Sequence, residues 1–191
     1  SLNAGSLWGR PFYILREAWN ILNAIAEGKI ESGDEKKLNA LKGETMAVIA
    51  LCQFDLTRCF GYPYTKDNGA SLGAPLIDHL VGTYENPSRS TVAQAYDFII
   101  ETLEEAVTLM SEEKNNGRMN KYAARALLAR VYLYHNDNRK AFDMAEQLIK
   151  DVDASGSYAL YPHEKYVAAW SVETKFGSES FFEIANSVDD T

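Results

Sequence analysis

The stretch KYAARALLARVYLYHNDNRKAFDMAEQLIK, residues 121–150, decides how the fold is read. Apolar side chains recur every three or four positions on both sides of a polar HNDN turn. This spacing predicts two helices, residues 120–135 and 139–150, folded back on each other. Asn120, just after Gly117, stands where an N-cap belongs, and His135 suits the negative end of the first helix. Leu128, Ala129, Tyr132 and Ala141 fall at the offsets of the tetratricopeptide pattern, a helix–turn–helix repeat of about 34 residues. The small Ala129 and Ala141 would let the two helices approach closely. Arg125 occupies a position where that repeat takes a large apolar residue.

Outward from this hairpin, helical periodicity dominates. Residues 91–110 carry an apolar stripe of Tyr96, Ile99, Ile100, Leu103, Ala106 and Val107, and Thr91 with Gln94 fits a capping box. Residues 38–60 turn Leu41, Val48, Leu51, Cys52 and Leu56 inward and meet Gly61 and Pro63, a stop signal. Residues 8–27 place Phe12, Leu15, Trp19, Leu22 and Ile25 on one face, and Gly28 ends that helix. The pair 38–60 and 91–110 looks like a second repeat unit. Ala50 would play the part of Ala129, and Ala95 that of Ala141, with residues 61–90 as a long inserted loop. Two short strands are expected near the C-terminus, in SYALY (157–161) and SFFEIA (180–185). The expected fold class is therefore mainly all-α: tetratricopeptide-like helix pairs with long loop insertions and one or two short β-strands. The whole of 1–191 reads as a single helical-repeat domain, part of a longer protein.

Composition narrows the function. With 27 acidic against 19 basic residues and a formal net charge of −8, the surface repels a phosphate backbone, so nucleic acid is not an expected partner. Apolar runs are too short to span a membrane. Cys52 and Cys59, seven residues apart on one helix, stand about 10 Å apart, beyond disulfide reach, and read as two small buried residues.

The chemical motifs are weak. GASLG, residues 69–73, matches the G-x-S-x-G elbow of serine hydrolases, but such a serine needs a strand before it and a helix after it. YTKDNGA precedes Ser71 and Leu72-Gly73-Ala74-Pro75 follows, and the adjacent Asp78 and His79 do not make a triad by themselves. DVDASG, residues 151–156, offers Asp151, Asp153, Ser155 and Gly156 at EF-hand positions, yet position 12 is Pro162 instead of the closing Glu. His79, His135 and His163 share no metal-ligand spacing. Glu104/Glu105 and Glu112/Glu113, being neighbours, point apart on a helix. No catalytic residue, metal site or cofactor is expected.

Aromatic residues are the remaining lead. Trp19, Tyr96, Tyr132 and Phe142 lie on apolar helix stripes and belong to the core. Tyr62, Tyr64 and Tyr84 lie in the 61–90 loop beside Asp67 and Asn68. Rings that stack on C–H faces, beside groups that bond hydroxyls, are what a sugar-binding surface uses. The alternative is that these tyrosines pack the loop onto the helices.

These residues carry a family resemblance. GETMAVIALCQFDLTRCFGYPYTKDNGASLGAPL (43–76), RSTVAQAYDFIIETLEEA (89–106), GRMNKYAARALLARVYLYHND (117–137), SYALY and ESFFEIANS (179–187) resemble, in order, the SusD/RagB family of outer-membrane nutrient-binding lipoproteins. The resemblance runs over nearly the whole chain. It implies tetratricopeptide-like helix pairs, a lipid-tethered place on the outer surface of the bacterial outer membrane, and a non-enzymatic role. That role is to bind oligosaccharide and deliver it to a SusC-type, TonB-dependent barrel transporter. Two features depart from the family: no lipid-attachment Cys stands near the start, and the chain is much shorter, which suggests an N-terminal-half portion. Tyr62, Tyr64, Asp67, Asn68 and Tyr84 are the candidate ligand- or partner-binding residues. A generic helical scaffold binding a protein or peptide is the alternative function.

Overall fold

The computed structural model describes residues 4–170 and 176–184. Its helices run in order α1 (Ala4–Ala26), α2 (Glu35–Phe60), α3 (Val92–Leu109), α4 (Lys121–Tyr134), α5 (Asn138–Ser155) and α6 (His163–Ala169). Two short strands, β1 (Leu72–Pro75) and β2 (Arg89–Thr91), lie between α2 and α3.

Local chemistry sets the helix ends. The Asp34 carboxylate accepts from Lys36 N–H at 3.0 Å and starts α2. Thr91 and Gln94 form the expected capping box at α3, with bonds of 3.1 and 2.9 Å. Asn120 caps α4 through Ala123 N–H at 3.0 Å, and Asp137 caps α5 through Lys140 N–H at 3.1 Å. The α5 helix runs on through residues 151–155, so the EF-hand-like aspartates stand on a helix and not in a calcium loop.

The α2 helix lies between α1 and α3 and is buried on more than one side. Ala47, Ile49, Ala50, Gln53, Phe54, Leu56 and Thr57 are each at most 1% exposed, a wider face than the single stripe read from the sequence. Towards α3 it joins a core of Ala50, Phe54, Tyr96, Ile99, Leu103, Leu128 and Val131. Towards α1 it joins Leu15, Ala18, Ile49, Cys52, Leu56, Ala74 and Ile77. Gly43 lets α3 pack closely on α2: a Cβ there would stand 2.7 Å from Met110 Cγ and 2.9 Å from the Ala106 carbonyl oxygen.

Several expectations are corrected. SYALY forms no strand. Tyr158 turns inward to accept a 2.8 Å bond from Asn120 Nδ2 and to meet Phe181 edge-on, which anchors the segment through a side chain instead of a ladder. Residues 180–184 are likewise irregular, and Ala185 of SFFEIA lies outside the described residues. The small antiparallel sheet sits instead in the 61–90 insertion, with Leu72 opposite Thr91 and Pro75 opposite Arg89. Phe142 is 59% exposed because the described chain lays nothing over that side of α5. Cys59 is exposed, while Cys52 is buried and its thiol is pushed up to about 12 by that burial.

Arg125 answers the irregularity in the repeat pattern. It is buried against α5 and donates from Nη1 to Asp151 Oδ2 at 2.7 Å, while Gln147 donates to the other oxygen at 2.9 Å. Gln147 first, then Arg125, hold the Asp151 carboxyl below its ordinary range. Removing the carboxylate strands a buried cation, whereas Arg125→Met leaves the exposed partner to water. Thermal unfolding followed by circular dichroism should therefore show a larger fall in Tm for Asp151→Ala than for Arg125→Met.

Candidate functional site

The 61–90 insertion is irregular over most of its length, yet it is held by named bonds. Gln53, fully buried in α2, donates from Nε2 to the Pro75 carbonyl at 3.1 Å and accepts from Ile77 N–H at 3.3 Å. Trp19 on α1 donates from Nε1 to the Ile77 carbonyl at 3.2 Å. Arg89 reaches back across the strand pair to the carbonyls of Gly73 and Leu72, at 2.6 and 2.9 Å. Gly69, at φ +76, packs onto the start of α3, where a Cβ would meet Ala93 N at 2.7 Å.

On this frame the sequence-selected residues take different places. Tyr62 is 57% exposed, with the Lys66 ammonium 3.0 Å from its ring centroid, a cation–π pair. Tyr84 is 96% exposed on the 83–84 turn. Tyr64 is half-buried against Tyr96 and His135, with centroids 5.7 and 4.3 Å apart, so it ties the insertion to α3 and α4. Asp67 accepts a short hydrogen bond from the Ser71 hydroxyl, the leading cause of its lowered pKa. Asn68 is exposed at φ +54, a conformation Asn tolerates better than most residues. Ser71 thus precedes a strand and donates its hydroxyl hydrogen bond to Asp67, while His79 is engaged with Asp78 and Glu85. This is not the strand–serine–helix elbow.

A groove missed in the sequence lies between the first half of α1 and residues 75–87. Its volume is about 580 Å³, and Trp8, Phe12, Arg16, Pro75, Ile77, His79, Val81, Gly82, Thr83 and Pro87 line it. Trp8 is braced edge-on by Phe12 at 5.1 Å and Phe60 at 4.7 Å, and remains 40% exposed. The lip is pinned by His79, whose Nδ1 is 2.6 Å from Asp78 Oδ1 and whose Nε2 is 2.8 Å from Glu85 Oε1. Glu85 also accepts from Gly82 N–H at 3.1 Å. Only the i, i+4 pair Trp8 and Phe12 hinted at this wall in the sequence, because the opposite wall is brought there by the Gln53 and Trp19 bonds.

Stacked helix pairs carrying a clamped aromatic insertion define a helical-repeat fold with a structured insertion. A family model described as starch-binding and associating with outer membrane matches residues 3–133, and the chain belongs to this SusD-like family. A SusD superfamily protein from Bacteroides vulgatus ATCC 8482 is 95% identical over the whole chain, with a TM-score of 0.95 and 43% of its own length covered. One from Bacteroides thetaiotaomicron VPI-5482 is 39% identical over 96% of this chain and 39% of its own, with a TM-score of 0.89. A laminarin binding SusD-like protein, 23% identical over 93% of this chain and 36% of its own, shares the fold at a TM-score of 0.70. The chain thus spans less than half the length of each of these relatives. The comparison with curated proteins gives no match. Among the described residues no helix is long and apolar enough to cross a membrane.

Two measurements follow from this geometry. Gln53→Ala would leave the Pro75 carbonyl and the Ile77 amide unpaired, at roughly 1–3 kcal/mol each, so chemical denaturation should show a loss of about 2–6 kcal/mol. Asp78 first, then Glu85, raise the His79 pKa above its ordinary value. The bridge is therefore intact below about pH 6.5 and is lost as pH rises through the raised value. NMR titration should place the His79 midpoint above that of a free imidazole, with Asp78→Asn lowering it more than Glu85→Gln.

Proposed function

We propose that the protein of which this chain forms part is a non-enzymatic, cell-surface glycan-binding subunit. It captures oligosaccharide at the outer membrane, where a lipid anchor holds it, and delivers the ligand to a SusC-type, TonB-dependent transporter. The family match over residues 3–133 carries this reading, since its description joins starch binding to the outer membrane. The laminarin binding relative points the same way. The arrangement of the insertion supports it. Tyr62 and Tyr84 present exposed rings, Asn68 an exposed amide, and Tyr64 and Asp67 brace the segment that carries them. Rings and amides presented on a fixed frame suit sugars, whose C–H faces stack and whose hydroxyls bond.

A second reading has one observation in its favour. Phe142 and Ile149 stand 59% and 62% exposed on α5, a surface suited to a protein partner. In that reading the α4–α5 hairpin is a scaffold for a protein or peptide.

The test is calorimetry of the whole protein against a broad glycan panel, together with co-purification from membranes. At least one glycan should bind, and Tyr62→Ala with Tyr84→Ala should weaken it about 10-fold, or about 1.4 kcal/mol. Unchanged glycan binding with loss of the barrel from the purified complex would assign the tyrosines to the transporter contact. No glycan bound and no barrel recovered would sink the reading, and a peptide captured through residues 121–155 would favour the scaffold.

A further inference from the structure

Two grooves of similar size open among the described residues, and their chemistry separates them. One, about 590 Å³, runs beside the start of α2 and has no aromatic side chain in its lining, which is mostly charged or amide-bearing, with Lys36, Lys37, Glu44 and Arg118 among its residues. The other is the α1 groove of about 580 Å³. Both volumes fall within the roughly 300–1,000 Å³ of small-ligand sites. Only the second combines a flat apolar plate with a few polar groups.

The plate is Trp8. Edge-on contacts from Phe12 and Phe60 fix its indole, so little side-chain freedom remains to be lost when something stacks on it. The polar side of the groove is electrostatically spent. Arg16 gives Nε and Nη2 to Glu17 Oε1 at 3.1 and 3.0 Å, and His79 lies between Asp78 and Glu85. Arg16 is paired with Glu17, and His79, even when protonated, is matched by two carboxylates, Asp78 and Glu85, on a chain of formal net charge −8. An anionic ligand would meet this arrangement at a net repulsive potential, with no unpaired cation to compensate it. A neutral ligand meets no such penalty. The Thr83 hydroxyl and the paired polar groups offer it hydrogen bonds, while a C–H face lies on the indole.

We propose that the groove between α1 and residues 75–87 is a subsite for a neutral oligosaccharide, stacked on Trp8, and that it excludes uronic or sulfated chains. The inference rests on the glycan-binding reading above and adds the place and the charge class of the ligand. Tyr84, on the turn beside Thr83, would extend the same surface at the lip.

The test uses the whole protein and oligomers of matched length. Maltohexaose and laminarihexaose serve as neutral probes, and hexagalacturonate and a sulfated chondroitin hexasaccharide as acidic ones. Calorimetry should show at least one neutral probe binding 10-fold or more tightly than either acidic probe. Trp8→Ala should weaken it about 10-fold or more. Thr83→Trp, an exposed substitution that fills the groove without touching the core, should do the same with an unchanged Tm, so a misfolded Trp8 variant would not obscure the result. Neutral binding undiminished in both variants overturns the groove and leaves the glycan reading standing. Acidic probes binding more tightly than neutral ones overturn the charge class. No binding by any probe or by the broader panel overturns the inference together with the reading beneath it.

Discussion

A single buried amide ties the 61–90 insertion to the helices. Gln53 lies in the middle of α2, fully inaccessible, where a helix facing an apolar core would ordinarily carry a Leu. Its two polar ends match the two backbone groups that an irregular segment must satisfy when it is drawn into a core: the Pro75 carbonyl and the Ile77 amide. Trp19 closes the set by taking the Ile77 carbonyl. With these three groups satisfied, Ala74 and Ile77 can join Leu15, Ile49 and Leu56 in the core without orphaned backbone. Removing the amide would leave the segment a choice between burying unpaired polar groups and leaving the core.

The same helix is fixed differently at its other end. Near Gly43 the absence of a side chain lets α3 come close enough for the Ala106 carbonyl and Met110 to fill the space. The Arg118 guanidinium and the Met119 N–H converge on Glu44, and so tie the α3–α4 link to α2 as well. Thus α2 is held near its start by close packing at Gly43 and by the Glu44 bonds, and beyond its middle by the Gln53 bonds. The insertion emerges from the second half, where α1 and the loop meet and the aromatic groove forms. The α4–α5 hairpin braces α3 from the far side, and Arg125 with Asp151 locks it where the repeat pattern is broken.

How far the sequence foretold this depended on the range of the determining interaction. Helix positions and caps are local properties, and the spacing around Leu128, the Thr91/Gln94 box and the Asn120 cap located α3 and α4 within a turn, whereas α5 runs on from residue 150 to Ser155 and α6 was not foreseen. Alternation in SYALY is equally local, but it misled: five residues can alternate without a neighbouring strand to pair with, and Tyr158 found Asn120 instead. The real strand pair was hidden because Leu72-Gly73-Ala74-Pro75 carries no β-branched residue and its pairing depends on Arg89 from across the turn. Tyr62, Tyr64 and Tyr84 are indistinguishable as letters in a polar loop, yet one packs on His135 and two face out. Beyond the Trp8/Phe12 pair the groove could not be read, since tertiary bonds such as those of Gln53 and Trp19 bring its two walls together.

The consequence for recognition follows from where rigidity is placed. A loop that orders only on binding spends part of its interaction energy on its own conformational entropy, about 1–2 kcal/mol for each backbone residue fixed. Here the segment opposite Trp8 is ordered beforehand, by Gln53 at residues 75 and 77 and by His79 with Asp78 and Glu85 at the lip. The two anchors differ in kind. The amide is uncharged and indifferent to pH, whereas the imidazole bridge is strongest when protonated and lies exposed at the surface. Deprotonation of His79 therefore weakens the contacts at the lip and leaves the uncharged Gln53 bonds under the floor untouched. At the proposed subsite, loss of that proton would loosen the lip without moving the Trp8 plate.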